Sequence, residues 1–106
     1  VNPDDTTFKA AAAGASWDKT FFQILTEQPG KDAWPITGAT FILMHKVQDK
    51  PANATVALRF FDWAFTNGDA MSTELDYVPM PEAVEAQVRR AWAEIKDSSG
   101  KPVSLK

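Results

Sequence analysis

The sequence predicts an α/β protein, helix-rich, with one long buried strand. Residues 41–44 (Phe41, Ile42, Leu43, Met44) are continuously apolar, between a Gly/Thr-rich stretch and His45-Lys46. A strand buried on both faces reads this way. No other segment carries a comparable strand signal, whereas apolar residues elsewhere recur at helical spacing in runs punctuated by Gly and Pro. A buried strand needs neighbours for its N–H and C=O groups. The chain is therefore expected to be part of something larger, its other strands lying in a missing piece of the same polypeptide or in a second chain.

The elements follow in order. Residues 4–7 (Asp4, Asp5, Thr6, Thr7) supply capping side chains ahead of Phe8-Lys9 and the alanine run 10–13, and Gly14 stops this short helix. Ser16 is read as a second cap. Trp17, Phe21, Ile24 and Gln28 stand at i, i+4, i+7 and i+11, with Leu25 beside Ile24, which predicts an amphipathic helix ended by Pro29-Gly30. The strand comes next, within 34–46. Pro35 lacks an N–H and fits only a strand start or edge, and Gly38 marks a bend or close backbone approach.

Gln48 to Lys50 form a polar turn, and Pro51 suits the first turn of a helix over about 52–67. Val56, Phe60, Trp63 and Ala64 line one face of it; Leu58, Phe61 and Phe65 widen the apolar surface, so contact with two layers is expected. Gly68 closes it. A short helix over 69–75 carries Met71 and Leu75. Residues 76–80 are extended, because Pro79 and Pro81 disfavour helix in the residues before them. The last helix opens at Pro81 with Glu82 and Glu85 and carries Arg89, Arg90 and Lys96 toward its end, which complements the macrodipole. Val84, Val88, Trp92 and Ile95 make its core stripe, and Glu85 and Arg89 stand at i, i+4. Residues 97–100 end it, and 101–106 read as a tail.

Length and composition bound the function. The chain has 106 residues and 44% hydrophobic content, enough for one small ordered domain. Its net charge of −3 and pI near 5.0 argue against a nucleic-acid binder. Cysteine is absent, which excludes disulfides, thiol catalysis and thiolate metal sites. No apolar stretch approaches the ~20 residues of a membrane span. A start at Val1, with no signal peptide, is expected of a processed, cleaved or partial protein.

Little in the chain points to chemistry, and no catalytic or metal-ligating residue is assigned. His45 is the sole histidine. It is read as structural at the strand end; a general base is the functional alternative. One histidine without cysteine makes no zinc site unless the fold adds carboxylates. Glu74 and Asp76 are read as solvated charges rather than a carboxylate pair. Ser98-Ser99-Gly100-Lys101 superficially resembles a phosphate loop, but it lacks the Walker spacing and follows a helix, so it is read as a helix stop. The Trp and Phe residues, at helical spacing, are read as core.

Several segments resemble, in order, the C-terminal part of the periplasmic phosphate-binding proteins of phosphate ABC importers (the PstS family). They are Asp32-Ala33-Trp34-Pro35-Ile36-Thr37, Thr40-Phe41-Ile42-Leu43-Met44-His45-Lys46, Phe60-Phe61-Asp62-Trp63-Ala64 with Gly68, and Leu75-Asp76-Tyr77 with Pro81. Val88-Arg89 with Ala91-Trp92, and Lys96-Asp97-Ser98-Ser99-Gly100-Lys101-Pro102, complete the set, and the alanine run before Trp17 and Lys19 also fits.

The resemblance implies a C-terminal fragment of a type II periplasmic-binding-protein fold, two α/β lobes with the anion between them. Residues 1–33 would be a helical segment of the second lobe, 34–46 the crossover strand, and 47–106 helices packing on the first lobe. It implies a periplasmic, non-enzymatic part of a high-affinity binder that delivers inorganic phosphate to the membrane permease, with the missing N-terminal part as its partner and no cofactor. The family's hydroxyl, amide, Arg and Asp ligands lie upstream of this sequence. No phosphate-binding residue is therefore assigned here, and Thr37, Thr40, Arg89 and Arg90 match no ligand motif. The fragment alone is expected not to bind phosphate. The alternative is a self-associating α/β module pairing through strand 36–46.

Overall fold

The computed structural model describes residues 1–105. Four helices carry it: α1 (Asp5–Gly14), α2 (Pro51–Asn67), α3 (Asp69–Glu74) and α4 (Glu82–Ala91), the last extended by a 3₁₀ turn over Trp92–Glu94. Two short parallel strands, β1 (Val47–Gln48) and β2 (Lys96–Asp97), pair Val47 with Lys96 and Gln48 with Asp97.

The capping residues set α1. The Asp4 carboxylate accepts from the Thr7 N–H at 3.0 Å, and the Thr7 hydroxyl accepts from the Asp4 N–H at 3.1 Å. This reciprocal cap satisfies two otherwise orphan donors. Thr7 also ties down the later chain, because its carbonyl accepts from the Trp34 N–H at 3.0 Å. Gly14 closes the helix where the chain returns. A Cβ there would stand 2.7 Å from the Pro29 carbonyl oxygen, so only glycine allows the approach.

The expected helix after Ser16 does not form. Side chains there bind the backbone instead. The Gln23 amide donates to the carbonyls of Ser16 (2.6 Å) and Thr20 (3.1 Å), and the Thr20 hydroxyl accepts from the Phe22 N–H at 3.1 Å. Trp17 and Leu25 still turn inward. With Ala12 and Val84 they form the core, against which Phe21, Met80 and Val88 pack. The Trp17 indole N–H donates to the Ala12 carbonyl at 2.8 Å, so its one polar atom is satisfied in the interior.

The long buried strand is not formed in this chain either. Residues 34–46 make no ladder, Leu43 is 92% exposed, and Ile36, Phe41 and Ile42 are also exposed. Among the described residues, no other long segment lies in strand conformation to pair with it. Among the described residues, the pairing is confined to the two-residue β1–β2 ladder at its end and an isolated antiparallel bridge between Lys96 and Pro102.

Helix α2 buries a different stripe from the one expected. Ala54 and Leu58 are buried and Phe61 and Phe65 half-buried, at i, i+4, i+7 and i+11. Val56, Phe60 and Trp63 face solvent on the opposite side, a two-residue step being about 200° of rotation. Helix α4 ends earlier than expected. Its last turn tightens at Trp92–Glu94, and Ile95 becomes extended and buried so that Lys96 can donate to the Lys46 carbonyl at 2.8 Å. Residues 101–105 are not a free tail. The Val103 N–H donates to the Ile95 carbonyl at 2.9 Å, and the Arg59 guanidinium binds the Leu105 carbonyl.

Candidate functional site

A shallow groove of about 650 Å³ lies between α2, α3 and α4. Phe65 and Thr66 come from α2, Asp69 from α3, and Glu82, Glu85 and Arg89 from α4. Helical spacing explains the α4 contribution, since Glu82, Glu85 and Arg89 stand at i, i+3 and i+7 on one face.

Arg89 joins the two long helices. Its Nε donates to Asp62 Oδ1 at 2.8 Å, and an Nη donates to the Thr66 hydroxyl at 3.2 Å. Its guanidinium lies 5.5 Å over the Phe65 ring. Phe65 in turn stacks on Trp92, with ring centres 6.0 Å apart and planes 4° from parallel. Sequence spacing pointed to Glu85 as the partner of Arg89. Asp62, 27 residues away, holds it instead, because α2 packs alongside and the helix-surface rule says nothing of neighbouring elements.

Glu85 is buried in the groove wall, with 6% of its surface exposed. Desolvation by burial raises its pKa, the neighbouring Asp69 carboxylate raises it further, and Arg89 opposes both. The folded chain thus favours the neutral carboxyl. That contribution to stability is fully present below the ordinary value of 4.5 and is lost as pH rises through the folded pKa. Glu85→Gln, neutral and of the same shape, is expected to match the wild type at pH 4. It is expected to gain on it toward pH 7 by on the order of 1 kcal/mol or less. Urea denaturation across this range checks it, and a variant that loses stability on approaching pH 7 would contradict the burial argument.

This groove is unsuited to an oxyanion. Asp69, Glu82 and Glu85 line it against one guanidinium that Asp62 already neutralises. A phosphate needs converging donors and positive charge.

The other tempting residues are scattered. The Thr37 hydroxyl is spent on the Trp34 carbonyl at 2.8 Å, and Thr40 and Arg90 are exposed. Glu74 and Asp76 are solvated, as expected. His45 is exposed and takes part only through its carbonyl, which accepts from the Gln48 amide at 2.7 Å.

The loop at 98–101 is occupied by its own chain. The Asp97 carboxylate accepts from the Ser99 hydroxyl and from the backbone N–H groups of Ser99 (2.9 Å) and Lys101 (3.0 Å). These bonds, the Ser99 hydroxyl foremost, hold the Asp97 carboxyl below its ordinary range. The Ser99, Gly100 and Lys101 N–H groups that a phosphate loop would offer are thereby turned to Asp97, Gly100 donating to its carbonyl at 3.0 Å. Among the described residues, no group of His, Asp and Glu is placed to hold a metal ion.

No family model matches the chain. Curated relatives do. The phosphate-binding protein PstS of Pasteurella multocida is 45% identical over 104 residues, covering 95% of this chain and 30% of that protein. The PstS of Haemophilus influenzae is 44% identical over 94 residues, covering 87% of this chain and 28% of that protein. The PstS of Xylella fastidiosa is 41% identical over 95 residues, 88% of this chain and 26% of that protein. The chain thus spans less than a third of the length of these relatives.

Proposed function

Because the chain belongs to the PstS phosphate-binding family and corresponds to the C-terminal portion of such a protein, we propose that it supplies part of a high-affinity binder of inorganic phosphate. The observation that carries this reading is 41–45% identity spread over 87–95% of the chain in these relatives. The fold is then that of a type II periplasmic-binding protein. Residues 1–33 form a helical segment of the second lobe, 34–46 the crossover, and 47–106 helices on the first lobe. The protein works in the periplasm, without catalysis, and hands phosphate to the permease of an ABC importer by opening and closing its lobes.

The phosphate ligands lie outside this chain. The acidic groove and the 98–101 loop, whose Ser99 and Lys101 backbone N–H groups are held by the Asp97 carboxylate, support this. A chimera tests the proposal: the 104 matched residues of the Pasteurella multocida protein are replaced by the matching residues of this chain. The chimera is expected to bind phosphate within about tenfold of its parent, since no ligand is exchanged. A folded chimera without phosphate binding would refute the assignment. A second reading, self-association through 36–46, is favoured by the exposure of Leu43 and the unpaired backbone around it.

A further inference from the structure

The groove between α2, α3 and α4 holds more negative charge than the surrounding side chains answer. Glu85 is 6% exposed, and among the described residues its carboxylate makes no hydrogen bond and no ion pair. A buried polar group left in this state costs free energy, most of all when it is charged. Asp69 and Glu82 stand exposed at the rim of the same groove, also without an ion-pair partner among the described residues. The cations that act on Glu85 are committed elsewhere. Lys9 of α1 is held by Asp5 at 2.9 Å, and Arg89 of α4 by Asp62 of α2 at 2.8 Å. The dipole of α4 favours acidic residues in its first turn, but it does not call for a carboxyl buried below the rim without a hydrogen bond.

We propose that this groove binds a linear aliphatic diamine or polyamine, one ammonium group reaching the Glu85 carboxylate and another meeting Asp69 or Glu82 at the rim. The geometry selects this class of cation. Among the described residues no acidic group converges closely enough to hold a metal ion, whose oxygen ligands must all stand within about 2.0–2.6 Å of it. Glu82 and Glu85 lie about one turn apart on α4, with Asp69 on α3, so the charge is spread along the groove. A cation that answers it must be spread too. Ala83, Ala86 and Phe65 line the same space and offer a methylene chain an apolar bed. The Phe65 ring is already engaged by Arg89 and Trp92, which disfavours an aromatic ligand. A lysine side chain from another protein would bring one charge to three carboxylates, whereas a diamine brings two on one chain. The groove volume, about 650 Å³, is that of a small-ligand site. The proposal stands on the groove alone and does not depend on the phosphate reading.

The test is a titration of this chain at low salt and neutral pH, followed by its amide chemical shifts in NMR spectra. The probes are putrescine, spermidine and, as a cation with the charge of the diamine but no chain, magnesium ion. Both amines should shift amides of 65–69 and 82–89 saturably at millimolar concentration or below, spermidine the more tightly, and added salt should weaken both. Magnesium ion should not saturate over the same range. Glu85→Gln, expected to fold at least as stably, should weaken spermidine by about threefold or more. The pH dependence separates binding from a structural role. Protonation of Glu85 competes with the amine, so wild-type affinity should fall as pH is lowered through the raised pKa of Glu85. In Glu85→Gln that step should be absent, while Asp69, Glu82, Arg89 and Lys9, the other charges acting there, are common to both proteins. No saturable shift up to several millimolar spermidine, an equal response to magnesium ion, or binding indifferent to Glu85→Gln would overturn the proposal.

Discussion

Trp17→Ala is expected to abolish the cooperative fold of the isolated chain. Trp17 is 6% exposed and sits in the one core that joins the residues after α1 to α4. Removing a buried tryptophan costs about 3–5 kcal/mol in lost transfer energy and residual cavity. The Ala12 carbonyl also loses the indole N–H and keeps only the longer bond from the Ala15 N–H at 3.3 Å. Small domains have only about 5–15 kcal/mol in total, and this one leaves an unusual share of its apolar surface in water. The cavity cost is therefore most or all of the stability. A loss of at least about 15 °C in Tm, or of the transition itself, should appear in far-ultraviolet circular dichroism. Trp63→Ala is the control. Its side chain is half exposed on the bare side of α2 and belongs to no core, so a change within about 0.5 kcal/mol is expected. Equal effects of the two substitutions would contradict the placement of the core.

The second large effect concerns the segment expected to be a strand. No backbone N–H of residues 38–45 donates a hydrogen bond, and most of their side chains are exposed. Amide exchange is governed by the free energy of opening, which is near zero where nothing must open. In the isolated chain these amides should exchange within about tenfold of the unstructured rate. Amides in the middle of α2, such as that of Leu58, whose side chain is fully buried, should be slower by about a hundredfold or more. Slow exchange there in a monomeric chain would show that some internal partner satisfies the segment, and would contradict its placement outside any ladder.

The helices were legible because their ends carry chemistry. Asp4 and Thr7, Pro51 and Pro81 mark starts, and Gly14 and Gly68 mark stops, within a residue or two of the observed bounds. The faces were less legible. Both sides of α2 satisfy an apolar 3.6-residue period, so periodicity could not choose between Val56–Phe60–Trp63 and Ala54–Leu58–Phe61; contact with α4 and the returning 101–105 segment chose the latter. The missing helix after Ser16 shows the converse. Its spacing was helical, but Thr20 and Gln23 bind nearby backbone and the chain folds on Trp17 and Leu25 instead.

The Asp62–Arg89 bridge and the burial of Glu85 depend on tertiary neighbours that no local motif announces. Phe41, Ile42 and Leu43 carry the continuous apolar pattern of a two-sided strand, yet they stand exposed and outside any ladder.

The most direct test of the account is titration calorimetry of the isolated chain with inorganic phosphate. An acidic groove, a filled 98–101 loop and a buried, bonded Thr37 hydroxyl predict no saturable heat up to millimolar phosphate. Saturable binding at micromolar phosphate, in material free of any other polypeptide, would place the ligands on this chain and contradict the account.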